Sequence, residues 1–292
     1  MTNKLLITGA TGFIGQKLVE YLFNKNYKII CLIREKSDIN FLKKNRIKYI
    51  YNYRSKELNN VDIIIHLAGV INAKTRDEFY ESNIETTKKV LDFASKNKIK
   101  KIIFLSTAVA KPDVKEDYAN TKFIAEQLIK KSKINYVIIK ASLVYGKGDK
   151  RHIGALINLI KKYYIIPIIG DGNYLLQPVF IDDLIYAIFI AIEKNEIKNK
   201  TYFIAGPKTI TFNNIVTLIS NSIGVKRLKI HVPEFVLILL SGIYEKFVKN
   251  PKVTQEQIKR ITSDKIYDIS CAIKDMKYNP INFEKGIIKT IN

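Results

Sequence analysis

Short apolar runs alternate along this chain with stretches whose apolar positions recur at helical spacing. The runs at residues 4–8, 28–33, 61–67, 101–105 and 135–139 are rich in Ile, Leu and Val, the pattern of strands buried on both faces. Between them, residues 13–24, 78–96 and 118–131 read as amphipathic helices. Strand–helix alternation of this kind implies parallel pairing, with right-handed crossovers that lay helices on both faces of the sheet. The expectation is an α/β fold, a doubly wound parallel sheet of six or seven strands.

The rhythm changes after Gly146. Residues 153–162 read as helix, 170–180 as loop and strand, 182–193 as helix and 202–205 as strand. From Phe212 onward the pattern is mainly helical, punctuated by Pro233, Pro251 and Pro280. Residues 1–146, with parts of 178–206, are therefore expected to form one domain, and 147–177 with 207–292 a smaller, mixed and mainly helical part. No internal repeat is present.

Composition narrows this only modestly. A chain of 292 residues, 47% hydrophobic and with seven prolines, can bury a full core and carries no long linker. The formal charge of +22 would suit a polyanion. Its lysines, however, are scattered through an Ile- and Asn-rich background, so a solvated surface is expected rather than a nucleic-acid footprint. Cys31 and Cys271 have no metal-ligand or disulfide-framework spacing, and His66, His152 and His231 form no ligand cluster. The apolar stretch 235–240 is far short of the roughly 20 residues needed to span a bilayer and could at most lie on a surface. A first strand so close to Met1 leaves no room for a cleavable leader, and a cytoplasmic protein is expected.

Candidate chemistry begins at the end of the first strand, in Thr8-Gly9-Ala10-Thr11-Gly12-Phe13-Ile14-Gly15. Glycines at this spacing, after a strand and into a helix, fit a Rossmann dinucleotide site. Gly9 permits the tight turn, Gly12 lets backbone approach a pyrophosphate, and Gly15 allows close packing of helix on strand. The amides of the helix N-terminus then face the anion. NAD-specific sites normally place an acid at the end of the next strand; here Ile33 fills that position, with Arg34 and Lys36 nearby to meet a 2′-phosphate. NADP(H) is thus favoured and NAD(H) possible, the latter with Glu35 or Asp38 serving the ribose.

Further motifs follow in order: His66-Leu67-Ala68-Gly69, Asn83-Ile84-Glu85-Thr86-Thr87, Leu105-Ser106-Thr107, Tyr118-Ala119-Asn120-Thr121-Lys122 and Leu143-Val144-Tyr145-Gly146. With the glycine turn, they resemble the extended short-chain dehydrogenase/reductase family, the group that includes NAD-dependent epimerases and dehydratases. The resemblance implies that Leu67, Ala68 and Gly69 lie beneath the adenosine, that Asn83 and Leu143 also line the cofactor site, and that Tyr118 and Lys122 carry catalysis with Thr107, or secondarily Ser106, as the polarising hydroxyl. On a helix Tyr118 and Lys122 share a face. A tyrosine ionises near pH 10, so acting as a base at neutral pH needs a shift of about three units, roughly 4 kcal/mol, toward which a neighbouring ammonium contributes.

The resemblance leaves the substrate divided. In relatives that act on nucleotide sugars, an arginine followed by an acid comes after the Gly-Asp-Gly turn and grips the diphosphate; here Leu176 and Gln177 stand at those points. Lys147, Lys150 and Arg151 are alternative cations. The Gln177-Pro178-Val179 wording and Pro251-Lys252-Val253-Thr254 resemble a branch related to a nucleotide-binding accessory subunit of respiratory complex I. The tail, with Asp268-Ile269-Ser270-Cys271-Ala272, Tyr278-Asn279-Pro280 and Glu284-Lys285-Gly286, resembles sugar-modifying epimerases and reductases. The expected activity is NAD(P)-dependent hydride transfer at a carbonyl or secondary-alcohol carbon of a small sugar-like molecule; the alternative is a non-catalytic NADP(H)-binding scaffold. A homodimer paired through the helices after Glu78 and Tyr118 is also implied.

Overall fold

A computed structural model of the chain describes residues 3–73, 75–112, 116–247, 255, 258 and 261–292. Two compact units emerge. The first comprises Met1–Ser142, Ile181–Ile204 and Asp268–Asn279, and the second Leu143–Phe180, Ala205–Tyr267 and Pro280–Asn292.

The first unit is built on seven strands: β1 (Lys4–Thr8), β2 (Lys28–Leu32), β3 (Lys48–Ile50), β4 (Ile63–His66), β5 (Lys101–Thr107), β6 (Tyr136–Ala141) and β7 (Lys200–Ile204). Every pair is parallel, in the order β7-β6-β5-β4-β1-β2-β3. The Ile- and Leu-rich centres of these strands form the core; Leu5, Ile64, Ile102, Phe104 and Ile138 are all fully enclosed. Helix α1 (Phe13–Asn24) packs against α4 (Ile181–Glu193), where Tyr21 meets Phe189 edge-on at 5.4 Å. Helices α2 (Thr86–Lys96) and α3 (Asp117–Lys131) pack against each other. These elements agree with the doubly wound Rossmann expectation.

β1 lies between β2 and β4, so the chain builds one half of the sheet, then crosses back to build the other. Such a reversal opens a crevice at the carboxyl ends of the two diverging strands, where ligands of this fold class bind. Pairing of Thr8 with both Leu32 and His66 sets Gly9, Ile33 and Leu67 at one level just beyond those ends.

Three local differences from the sequence-based expectation have physical causes. The edge strand β3 has only three residues, too few to display a period. The segment expected as one helix over 78–96 starts earlier, where the Thr75 hydroxyl accepts the Glu78 N–H, and passes through a π-helical turn at Glu81–Glu85 before α2. Residues 268–279 belong to the first unit rather than to a contiguous tail over 207–292. In that segment Asp275 accepts hydrogen bonds from Lys200 and Tyr202 on β7, at 2.6 and 2.7 Å.

The second unit pairs Ile165–Ile169 with Leu228–Val232 and Val144–Tyr145 with Val179–Phe180, both parallel, and Leu175–Leu176 with Ile210–Thr211 antiparallel. Leu228–Val232 corrects the mainly helical expectation after Phe212; its Leu-Lys-Ile-His-Val alternation is a strand period too brief to stand out between helices. Tyr145 is fully buried, its ring against Phe283 at 4.9 Å and Phe180 at 5.7 Å. A Cβ on Gly286 would collide with the Tyr145 hydroxyl, which explains a glycine inside helix Phe283–Ile291. The Pro251–Thr254 motif lies outside the described residues. Cys31 and Cys271 are free thiols. Among the described residues no helix is long and apolar enough to cross a membrane.

Candidate active site in the parallel-sheet unit

The glycine turn separates the roles of its three glycines. Gly9 has φ +75°, and a Cβ there would lie 2.7 Å from the Ala68 nitrogen, so only glycine lets the turn close against the end of β4. A Cβ on Gly15 would strike the Gly9 carbonyl and Ala10. At Gly12, by contrast, the nearest protein atom to a Cβ is Gly9 O at 3.4 Å, an ordinary contact. The chain's own packing therefore requires Gly9 and Gly15, whereas Gly12 keeps clear a space bounded by the N-terminus of α1. That helix has no side-chain cap and no acid in its first turn. Its first amides are thus suited to an anion, and the arrangement fits a dinucleotide pyrophosphate at Thr11, Gly12, Phe13, Ile14 and Gly15.

Behind the turn runs a directed hydrogen-bond chain. Ala68 N–H donates to the Thr8 hydroxyl at 3.2 Å, and that hydroxyl donates to His66 Nδ1 at 2.7 Å. On the other side His66 Nε2 lies 3.0 Å from the Thr87 hydroxyl, which itself donates to the Asn83 carbonyl at 2.6 Å. His66 therefore carries its proton on Nε2. Burial, reinforced by the charge of Lys122, pushes its pKa down to about 3 and keeps the ring neutral. Its role is to fix the ends of β1 and β4.

Asn83 sits in the π-helical turn and is buried. Its Oδ1 accepts the Val70 N–H at 2.9 Å, and its Nδ2 donates to Val70 O at 3.3 Å and to the Thr121 hydroxyl on α3 at 2.9 Å. One amide thus ties the Leu67–Ala68–Gly69 loop to the helix bearing Tyr118 and Lys122. A Cβ on Gly69 would lie 2.8 Å from Asn83 Oδ1 and 3.8 Å from Lys122 Nζ, so the loop approaches the lysine closely.

At the end of β5, successive side chains take opposite faces. Ser106 is buried and donates to Glu126 on α3; Glu126 pairs with Lys140 on β6 at 3.2 Å, and Lys140 also donates to the Ala110 carbonyl. Thr107 is half-buried, and its hydroxyl makes no hydrogen bond among the described residues. The Thr107 hydroxyl is thus left uncommitted at the strand end, while Ser106 braces the interior.

Lys122 is buried, its Nζ donating to Leu105 O at 2.6 Å and lying 4.0 Å from the centre of the Phe104 ring. Burial pushes its pKa down to about 7, against the opposing pull of Glu126. Tyr118, half-buried, precedes it by one turn in the first turn of α3. The glycine turn, the 67–69 loop, Asn83, the end of β5 and the Tyr118/Lys122 helix are thereby joined by direct contacts within one unit.

Ile33 is buried and donates its N–H to Ile50 O at 3.0 Å, while Arg34 and Lys36 are exposed just past the end of β2, beside β1. Leu143 opens the second unit, where its carbonyl accepts the Val179 N–H at 2.9 Å. Also in that unit, Leu176 is buried, and Gln177 donates to Gly206 O at 2.8 Å and accepts the Tyr267 N–H at 2.7 Å. Gln177 serves as a brace between backbone segments. Lys147 donates to Asn292 O at 3.2 Å, and Arg151 is exposed. The sequence alone does not single out Glu126 and Lys140. The available signals were an acid one turn beyond Lys122 on its face of α3 and a lone lysine inside the apolar β6.

Among the described residues no group of three or more His, Cys, Asp or Glu is placed to hold a metal ion. The model of the NAD dependent epimerase/dehydratase family matches residues 5–205. A putative UDP-glucose 4-epimerase of Methanocaldococcus jannaschii is 30% identical over 259 residues, spanning 75% of this chain and 82% of that protein. The mitochondrial NADH dehydrogenase [ubiquinone] 1 alpha subcomplex subunit 9 of Dictyostelium discoideum is 22% identical over 298 residues, spanning 97% of this chain and 82% of that one. A UDP-glucose 4-epimerase from Thermotoga maritima, solved with UDP-glucose, matches with a TM-score of 0.80 at 20% identity, covering 99% of this chain and 97% of that one. At that identity the likeness is one of fold.

Proposed function

This chain belongs to the NAD-dependent epimerase/dehydratase family of enzymes, and we propose that it moves hydride at a carbonyl or secondary-alcohol carbon of a sugar or nucleotide sugar. The observation that carries this reading is Lys122, a lysine buried against the end of β5 one helical turn from Tyr118. Besides anchoring the helix to that strand, a cation at that point stabilises a phenolate.

In this reading Tyr118 takes or gives the proton of the reacting oxygen, and Thr107 donates a hydrogen bond to the same oxygen. Lys122 lowers the tyrosine's pKa electrostatically and also holds the nicotinamide ribose. Thr11 and the amides of Gly12, Phe13, Ile14 and Gly15 hold the pyrophosphate, with Leu67, Ala68, Gly69 and Asn83 lining the rest of the dinucleotide site. The nicotinamide, when bound, supplies the hydride chemistry at its C4. Buried Ile33 followed by exposed Arg34 and Lys36 supports NADP(H) over NAD(H).

The sugar class is supported by the 30% identical relative, a putative UDP-glucose 4-epimerase. The test is turnover of UDP- and dTDP-linked hexoses and their keto forms by the wild type and Tyr118→Phe. The variant is expected to bind cofactor normally and lose turnover; undiminished turnover would refute the assignment. Cofactor retained through many turnovers marks an epimerase, and cofactor exchanged at each turnover marks a reductase. A second reading, a non-catalytic NADP(H)-binding scaffold, is supported by Leu176 and Gln177 and by the NADH dehydrogenase subunit among the relatives. Copurified cofactor without turnover on any of these sugars would favour it. Pairing of two copies through α2 and α3 completes the proposal and is read by sedimentation equilibrium.

A further inference from the structure

The small parallel sheet of the second unit turns an apolar face to solvent. Its register sets Leu228 beside Ile165 and Ile230 beside Pro167. All four are exposed, with Ile165 at 49%, Leu228 at 50% and Ile230 at 43%. On the opposite face Ile166 and Ile168 are completely buried. A strand with aliphatic side chains on both faces is the pattern of one covered on both, yet here one side is bare. Tyr164, immediately before the strand, is 65% exposed.

Unpaired cations border this face. Lys161 and Lys162 end the helix leading into Ile165–Ile169, and Lys226 precedes Leu228–Val232. All three are exposed, and none forms an ion pair among the described residues. Arg227 is folded back onto the carbonyls of Ile160 and Lys161, at 2.7 and 3.4 Å, which ties the start of one strand to the helix preceding the other. Neither residues 161–169 nor residues 225–232 contain an acid.

We propose that this face docks on an anionic lipid surface. Aliphatic side chains enter the acyl boundary, the tyrosine ring sits at headgroup depth with its hydroxyl toward water, and the lysines reach the lipid phosphates. A nucleic acid would satisfy the lysines but leave four aliphatic side chains wet. An uncharged protein surface would cover the aliphatics but leave the lysines without counter-charge. An anionic bilayer supplies both chemistries over one face, and the chain's net charge of +22 draws it toward such a surface from a distance. This docking is independent of the hydride-transfer chemistry.

The test is co-sedimentation of the full chain with vesicles of equimolar phosphatidylcholine and phosphatidylglycerol, against vesicles of phosphatidylcholine alone. Partition into the anionic vesicles is expected to be about tenfold stronger and to weaken with added salt. Leu228→Ser/Ile230→Ser is expected to lower partition by about tenfold with an unchanged melting temperature, since both side chains are solvent-facing. Lys161→Gln/Lys162→Gln is expected to reduce the preference for anionic vesicles. Absence of vesicle binding, equal binding to both compositions, or unchanged binding by the Leu228/Ile230 variant overturns the proposal. So does loss of a wild-type dimer in that variant without vesicle binding, which would assign the face to a second copy of the chain.

Discussion

Lys122 donates through Nζ to the carbonyl oxygen of Leu105 at 2.6 Å, which anchors the helix bearing Tyr118 to the end of the central strand β5. A buried amine held by a carbonyl and an aromatic face keeps partial solvation for its charge but loses most of its water. That imbalance lowers its pKa to about 7 and makes the site measurable through stability.

The sign follows from proton linkage. In the unfolded chain Lys122 titrates near pH 10.4, so between about pH 7 and that value unfolding takes up a proton and stability rises with pH. Below about pH 7 the amine is charged in both states and the penalty is complete. The full span corresponds to about 5 kcal/mol. Urea denaturation of the cofactor-free protein at pH 7 and pH 9 should show the wild type gaining stability relative to Lys122→Met; parallel behaviour of the two proteins would contradict a buried, depressed amine.

Glu126 and Lys140 test the interior behind that lysine. Their carboxylate and ammonium lie 3.2 Å apart with almost no exposure, and Ser106 adds a hydrogen bond to the carboxylate. Removing one partner strands a buried charge, so Lys140→Met should destabilise the fold by about 3 kcal/mol, whereas Glu126→Leu combined with Lys140→Met should recover much of that loss. Chemical denaturation of the single and double variants gives the coupling directly. Additive losses would mean that the charges do not interact.

Much of this site was readable from sequence because its parts are local. Gly9, Gly12 and Gly15 stand in one turn, Tyr118 and Lys122 on one helical face, and Ser106 and Thr107 at one strand end. What was hidden is contact between distant segments. Nothing near Asn83 announces that its amide will join Val70 to Thr121, and nothing near Lys140 announces Glu126 as its partner. Strand alternation gives Ser106 and Thr107 opposite faces but does not say which is inward; the buried carboxylate on α3 decides it. The strand Leu228–Val232 is hidden in the sequence for a related reason, since its partner Ile165–Ile169 lies some 60 residues earlier, as the pairing of Leu228 with Ile165 shows.

Arg34 offers a test of cofactor choice. It is exposed past the end of β2; its carbonyl accepts the Ser37 N–H at 2.9 Å, while its guanidinium makes no hydrogen bond or ion pair among the described residues and is available to a 2′-phosphate. Arg34→Ala should weaken NADPH binding by about tenfold and leave NADH binding nearly unchanged, the effect of one charge-assisted contact. Titration of both nucleotides by fluorescence checks this. Equal losses for the two would remove Arg34 from the 2′ position, and tighter NADH binding by the wild type would reverse the preference.

The glycine turn separates folding from ligand binding in a pair of substitutions. An added methyl at Gly15 collides with the Gly9 carbonyl and Ala10, both backbone atoms held by β1 and α1. Gly15→Ala should therefore lower stability by about 2 kcal/mol, because backbone cannot move aside as a flexible side chain can. At Gly12 the nearest atom is 3.4 Å away and φ is −80°, ordinary for alanine. Gly12→Ala should change stability by less than about 0.5 kcal/mol. Its methyl instead enters the space over the α1 N-terminus, so dinucleotide affinity should fall at least about tenfold. Thermal melts and nucleotide titrations on both variants resolve the two effects. If Gly12→Ala binds NADPH as the wild type does, the pyrophosphate does not lie over that amide, and the anion site must be sought elsewhere on the turn.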